Sequence, residues 1–439
     1  MIPEPKNARQ LAFSVVAKPN GAACNLDCSY CFFLSKELLY DDARQRMSEE
    51  VLRDYVRTFL SNQPDGEVTL AWQGGEPTMR GLEFFELAVR LGHEYARAEQ
   101  QVVHTIQTNG ILIDDRWATF LAHEKFLVGL SLDGPAQMHD TFRTNRAGRG
   151  THDQVVAAWR ILQRHDVSTN FLCTVNAANQ DHGAEVYRYF TDELGATFLQ
   201  FIPIVERATI TELPTLEQGW RTASEHLLYR QQGDLVTSRS VDPEQWGKFM
   251  IEVYDEWIAR DVGRVYIQHV DGALSAMFGR YPTCVHSPDC GNALAVEYNG
   301  DVYSCDHWVE PDWLLGNLAE HDFAELTQTP RHLDFNLKKA SELTDQCVRC
   351  PVRNFCHGGC PKDRFATSRD GQPGQNYLCA GYEAFFGHMR PDLVAMARLV
   401  RKGRAPAEIM RPEVRAAHRP GESEVGQQAG PHHLARSIQ

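Results

Sequence analysis

Short apolar runs alternate with amphipathic stretches along the first two hundred residues. The runs Phe13–Ala17, Val68–Trp72, Val103–Gln107, Leu127–Leu132, Asn170–Val175 and Phe198–Ile202 have the length and content of buried strands. Between them, 48–60, 82–98, 115–123, 152–165 and 184–194 carry apolar residues at helical spacing. Ser48 before Glu49 and Glu50, and Asp114 before Asp115, are start signals for two of these helices. Strand–helix alternation calls for parallel strands with right-handed crossovers. Six units are too few for a closed eight-fold barrel, so an α/β partial barrel is expected, with its ligands at the carboxyl ends of the strands.

The pattern then changes. Residues 206–240 are more polar and read as a linker with one helix, and 243–259 is helical again. Residues 284–379 lose periodicity, apart from an alternating stretch at 295–303 around Asn299-Gly300 that signals a hairpin. Residues 381–401 form a closing helix. Beyond Arg404 the chain is rich in Pro, Gly, Gln and charge and is expected to be disordered. The expected divisions are a barrel over 1–235, a helical linker over 236–283, a cysteine-rich region over 284–380, the closing helix and the tail.

Composition narrows the class. The chain has 439 residues, 43% hydrophobic and 23% charged, which suits globular domains with sizeable cores and excludes a disulfide-stapled miniprotein. The net charge of −14 argues against nucleic acid, and no apolar run is long enough to span a membrane. The apolar start near Leu11–Ala17 is too short for an export signal. Lys18, Pro19 and Asn20 interrupt the run before Gly21-Ala22-Ala23-Cys24, which otherwise faintly looks like a lipoprotein cleavage site. The expected compartment is the cytoplasm, with no membrane partner.

Twelve cysteines change the picture through their placement. Cys24, Cys28 and Cys31 follow the first strand, eight more lie between Cys284 and Cys379, and Cys173 stands apart inside a strand, where a buried structural thiol is expected. Close clustering reads as metal binding before disulfides. Three thiolates can hold three irons of a [4Fe–4S] cluster and leave the fourth open to an exogenous chelate. A zinc site completed by a distant His is the alternative for this group. Eight thiolates suit two closed four-iron clusters, and spacing alone would equally allow two zinc sites. Cys360 precedes Pro361; in two-cluster ferredoxins such a cysteine serves the other cluster. By that analogy Cys360 joins Cys284, Cys290 and Cys305, and Cys379 completes Cys347, Cys350 and Cys356.

The segment Ala23-Cys24-Asn25-Leu26-Asp27-Cys28-Ser29-Tyr30-Cys31-Phe32 resembles the signature of radical S-adenosylmethionine (SAM) enzymes. That resemblance implies a partial (βα)6 barrel and an open iron that chelates SAM, whose reductive cleavage yields a 5′-deoxyadenosyl radical. It also implies SAM contacts at Tyr30, at Gly75 in Gln73-Gly74-Gly75-Glu76-Pro77, at Ser131, at Arg143 and at Val205. From the residues alone, Gly74-Gly75 equally suits a tight turn and Arg143 a surface ion pair.

The later cysteines resemble the SPASM extension of these enzymes, which implies two auxiliary [4Fe–4S] clusters, three in all, and a peptide or protein substrate. Gly300-Asp301-Val302-Tyr303-Ser304-Cys305-Asp306 resembles the segment of anaerobic sulfatase-maturating enzymes that carries a proposed catalytic Asp. The likeness runs from about Phe13 to Met389 and includes Gln107-Thr108-Asn109-Gly110 and Phe198-Leu199-Gln200-Phe201-Ile202. It implies oxidation of a Cys or Ser in an unfolded sulfatase segment to Cα-formylglycine. In that scheme the radical takes a Cβ hydrogen, Asp306 takes the thiol or hydroxyl proton, and an auxiliary cluster takes the second electron. A flavodoxin or ferredoxin is the implied reductant. On chemistry alone, Asp306 is equally suited to cap nearby backbone N–H groups. A SPASM enzyme that installs a crosslink or thioether in a ribosomal peptide would share every cluster residue. Phe33 departs from relatives that carry Tyr.

Overall fold

The computed structural model describes residues 13–40, 46–220 and 226–418. Six strands come from the expected runs: β1 (Ser14–Ala17), β2 (Gly66–Trp72), β3 (Gln100–Thr108), β4 (Leu127–Ser131), β5 (Thr169–Val175) and β6 (Phe198–Pro203). They lie side by side in sequence order, all parallel. This is the expected open barrel. Short strands β7 (Arg207–Ala208) and β8 (Leu235–Val236) pair only with each other.

The crossover helices start where the sequence marks them. The Ser48 hydroxyl accepts from the Val51 N–H at 3.2 Å at the head of α1 (Glu49–Ser61). Its face of Leu52, Tyr55, Val56 and Phe59 is buried. Asp114 accepts from the Trp117 N–H at 2.9 Å and starts α3 (Asp115–His123), after α2 (Leu82–Tyr95). Helix α4 (Ala136–Phe142) is not expected from periodicity; it precedes α5 (His152–Arg164). The last crossover splits into α6 (Gly183–Arg188) and a π turn, Tyr189–Glu193.

The sheet does not end at the expected boundary near residue 235. Beyond the four-residue helix α7 (Leu213–Leu216) and the long α8 (Pro243–Arg260), strand β9 (Tyr266–Ile267) adds to β6 in parallel, and α9 (Gln268–Ala276) follows. Residues 236–283, expected as a linker, therefore extend the barrel: Trp246, Phe249, Val253 and Trp257 of α8 are all buried in the core. At the opposite edge β10 (Ala293–Val296) pairs with β1, and β11 (Asp301–Tyr303) and β12 (Leu314–Asn317) extend the sheet antiparallel. The hairpin turns at Asn299-Gly300, where Gly300 has φ +90°. The cysteine-rich region thus shares one ten-stranded sheet with the barrel, in the order β12-β11-β10-β1-β2-β3-β4-β5-β6-β9.

The closing helix runs Cys379–Arg401 and crosses α8 at glycines. A Cβ on Gly381 would lie 2.3 Å from the Pro243 carbonyl oxygen, so only glycine allows this backbone approach. Gly381→Ala is expected to destabilise the protein by about 1–3 kcal/mol, the usual cost of overpacking. Thermal unfolding of the variant beside wild type measures it.

The expected disorder beyond Arg404 is corrected for 406–418, which form a 3-10 turn (Pro406–Met410) and a helix (Pro412–His418). Ile409 is fully buried and Arg415 pairs with the buried Asp392, contacts that outweigh the polar composition. The rest of that tail lies outside the described residues, as do residues 11 and 12 of the apolar start. Among the described residues no helix is long and apolar enough to cross a membrane.

Candidate active site

The first three cysteines sit at the carboxyl end of β1, as barrel geometry requires. A turn from Lys18 to Ala23 carries the chain across the top of β2, where backbone meets backbone. The Gly75 N–H donates to the Gly21 carbonyl at 2.8 Å, and the Glu76 N–H donates to the Ala23 carbonyl at 2.9 Å. A Cβ on Gly75 would stand 2.1 Å from the Ala23 oxygen. Glycine is therefore needed here to seat the loop that delivers Cys24.

Glu76 anchors the same place from below. It is fully buried and accepts from the Thr78 N–H (3.0 Å) and hydroxyl (2.6 Å), the Thr108 hydroxyl (2.7 Å) and the Asn109 N–H (2.8 Å). Burial still raises its pKa against the pull of those donors. Asn109 in turn reaches the Cys24 Sγ at 3.7 Å and the Asn25 Oδ1 at 2.8 Å.

Cys24, Cys28 and Cys31 are brought together in one small cluster with Leu26 and Tyr30. Burial pushes the Cys28 thiol far up; Arg143 opposes this, and Cys31 and Cys24 add to it. Crowded thiols of this kind ionise readily only beside bound cations, which is the condition iron supplies. The donor set fits the three-iron attachment expected of it.

Arg143 is 8% exposed, so it is not a surface pair. It grips Asp133 with two N–H groups at 2.8 and 3.1 Å. Asp133 also accepts from the Tyr30 hydroxyl at 2.6 Å and from the Thr174 N–H at 2.9 Å. Burial works against the Asp133 charge, but Arg143 holds its carboxyl below the usual range. Ser131 ends β4 and accepts from the Gln107 amide at 2.8 Å, and Val205 is buried just past β6. The five expected SAM-contact residues thus all lie at or beyond the carboxyl ends of barrel strands.

The later cysteines line two separate cavities. Cys284, Cys290, Cys305 and Cys360 line one cavity of about 600 Å3. Cys347, Cys350, Cys356 and Cys379 line another of about 360 Å3. Burial raises the Cys360 thiol to about 12, with Cys284 among the groups that add to it. It raises Cys356 to about 12 as well, with added pressure from Cys379, Cys347 and Cys350. Among the described residues no three His, Cys, Asp or Glu side chains close around one single-ion position. Each set of four thiols faces a cavity, and both sets fit a polynuclear cluster. Cys173 is 1% exposed within β5 and belongs to neither set.

Asp306 stands on the wall of the larger cavity, which also reaches Tyr30, Gln107 and Val205. The catalytic candidate, two of the SAM-contact candidates (Tyr30 and Val205) and one set of four thiols therefore line a single space. The partner of Asp306 is the buried Lys18 ammonium on its Oδ1, not a neighbouring backbone N–H as a capping role would require. Burial opposes the Asp306 charge, yet Lys18 above all, then His307 and Lys36, hold its carboxyl below the usual range. Sequence reasoning missed Lys18, Glu76, Asp133 and Asn109. Asp133 and Asn109 follow the carboxyl ends of β4 and β3, a usable signal. The burial of Lys18 and Glu76 has no signature in sequence.

Comparison with known proteins follows the same division. The Radical SAM superfamily model matches residues 21–190, and an iron-sulfur cluster-binding domain model, SPASM, matches 289–351. The chain is 38% identical over 399 residues to a serine-type anaerobic sulfatase-maturating enzyme of Bacteroides thetaiotaomicron, covering 90% of this chain and 94% of that one. It is 33% identical over 395 residues to a cysteine-type anaerobic sulfatase-maturating enzyme of Clostridium perfringens, covering 88% and 99%. A solved structure of native anSMEcpe with bound AdoMet and Cp18Cys peptide superposes with TM-score 0.75 at 32% identity, covering 89% of this chain and 99% of that one. With a radical SAM barrel, a SPASM region and relatives matched along nearly their whole length, the chain belongs to the anaerobic sulfatase-maturating enzymes.

Proposed function

We propose that this chain oxidises a Cys or Ser side chain in an unfolded sulfatase polypeptide to Cα-formylglycine. The observation that carries the reading is the shared cavity, whose wall holds the Asp306 carboxylate together with Tyr30, Val205 and one set of four thiols.

When bound, a cluster held by Cys24, Cys28 and Cys31 together with SAM would supply a carbon radical able to take hydrogen from the target Cβ, and clusters in the two later sets would supply electron acceptors. Tyr30, Gly75, Ser131, Arg143 and Val205 bind and orient SAM. The Asp133 network fixes Arg143 and the Tyr30 ring in place, which supports this role for the two of them. Asp306 receives the thiol or hydroxyl proton of the substrate. Lys18 occupies Oδ1, which leaves Oδ2 for that proton. Cys305 directly precedes Asp306, so a cluster held by Cys305 would stand beside the base. The product from Ser is the aldehyde itself; a Cys substrate gives a thioaldehyde that water hydrolyses.

The working compartment in this reading is the cytoplasm, and a flavodoxin or ferredoxin is the reductant. The test is anaerobic incubation of purified enzyme with SAM, reductant and sulfatase-derived peptides bearing Ser or Cys. Mass spectrometry is expected to show an aldehyde at the target residue that a hydrazide probe captures. A crosslinked or thioether product without aldehyde would replace this reading with ribosomal-peptide maturation.

A further inference from the structure

We propose that Lys18 is a positioning residue for Asp306: seated on the Phe33 ring and next to Glu297 in the β1–β10 ladder, its ammonium holds the base carboxylate at the wall of the cavity. The inference rests on the reading of Asp306 as the base and adds to it the device that aims that base.

The placement follows from the sheet. Strands β1 and β10 pair in parallel register, with Ala17 opposite Val296. The ladder runs one step further, because the Lys18 N–H donates to the Val296 carbonyl at 2.8 Å. Lys18 and Glu297 are thus the next residues on two paired strands, and partners in a parallel ladder share a face. Lys18 comes from the barrel and Glu297 from the cysteine-rich region, so the seam between them carries opposite charges.

Lys18 is 1% exposed and Glu297 1% exposed. A buried ammonium is costly unless it is paired, and so is a buried carboxylate. The Lys18 Nζ contacts Asp306 Oδ1 and lies 3.9 Å from the centre of the Phe33 ring. Glu297 Oε1 accepts no hydrogen bond from a protein group, and Lys18 is the chief positive charge acting on this carboxylate. Asp306 is the more exposed member, at 28% of its side chain. The arrangement is therefore a buried cation, backed by a ring and a reserve carboxylate, that presents one carboxylate to the cavity. It also assigns a role to Phe33, where relatives can carry Tyr: an unsubstituted ring face for the ammonium.

The test is Lys18→Met, read in two ways. The first is the number of 5′-deoxyadenosine molecules formed per aldehyde, with iron content checked. SAM cleavage is expected to persist while aldehyde falls, so the ratio rises about tenfold or more, as misplacement of a reacting group by about 1 Å implies. The second is the crystallographic position of the Asp306 side chain, expected to turn from its wild-type rotamer. The second readout holds even if wild type forms no aldehyde, so failure of the functional reading is told apart from failure of this one. An unchanged ratio, or Asp306 unmoved, would overturn the proposal. Phe33→Leu keeps every charge and removes only the ring. It is expected to raise the ratio in the same direction, and it decides the matter by the same criteria if Lys18→Met does not fold.

Discussion

Asp306→Asn is expected to lower aldehyde formation by about 10²-fold or more, the lower bound for loss of a positioned general base. The asparagine keeps the shape of the side chain and still offers Lys18 an oxygen. What it loses is the capacity to take a proton from the substrate while an electron departs. Hydrogen abstraction at Cβ does not depend on that capacity, so SAM cleavage is expected to continue in excess of product. The variant also removes the charge that partners Lys18, which Glu297 is placed to compensate in part. Thermal unfolding and iron analysis separate any loss of folded enzyme from loss of chemistry. Full-rate aldehyde formation by Asp306→Asn would remove the residue from the mechanism. The other carboxylates on that cavity wall, Glu206 and Asp363, are each held by a cation, Arg239 at 2.9 Å and Lys362 at 2.6 Å.

Cys24→Ala carries the other large effect. Two remaining thiolates cannot retain a labile four-iron cluster, so iron should fall from about twelve to about eight per chain. SAM cleavage should be lost altogether. The two later sets are lined by separate cysteines in separate cavities, and they should load as in wild type. Asn109 would lose its sulfur contact but keep Asn25, so the loop should stay seated on Gly75. Colorimetric iron analysis and 5′-deoxyadenosine assay measure the two effects together. An unchanged iron content would mean that Cys24 is not a ligand.

Much of this site was legible in the sequence because its chemistry is carried by residue types with fixed spacing. The three-residue gap between Cys24 and Cys28 and the Pro after Cys360 were enough to divide eleven thiols into sets that the fold then brings together. Strand–helix alternation was equally plain, since buried parallel strands leave continuous apolar runs. The extension of the sheet was not. Strands such as Tyr266–Ile267 are too short to leave a pattern, and the pairing of β10 with β1 joins residues far apart in the chain. The tail between 406 and 418 misled because its anchors, Ile409 in the core and Arg415 on the buried Asp392, are single residues among polar neighbours. The packing of Gly75 against the backbone of the cysteine loop joins residues far apart in the chain and left no mark in the sequence. Lys18 was invisible because a lysine after a strand is ordinarily a solvated end, and only the fold buries it.

The central claim is that the enzyme removes hydrogen from the Cβ of its target residue within the cavity that holds Asp306. A peptide deuterated at Cβ of the target Ser or Cys tests it most directly. Deuterium is expected in the 5′-deoxyadenosine, with a monodeuterated aldehyde in the peptide. Unlabelled 5′-deoxyadenosine formed alongside aldehyde would contradict it.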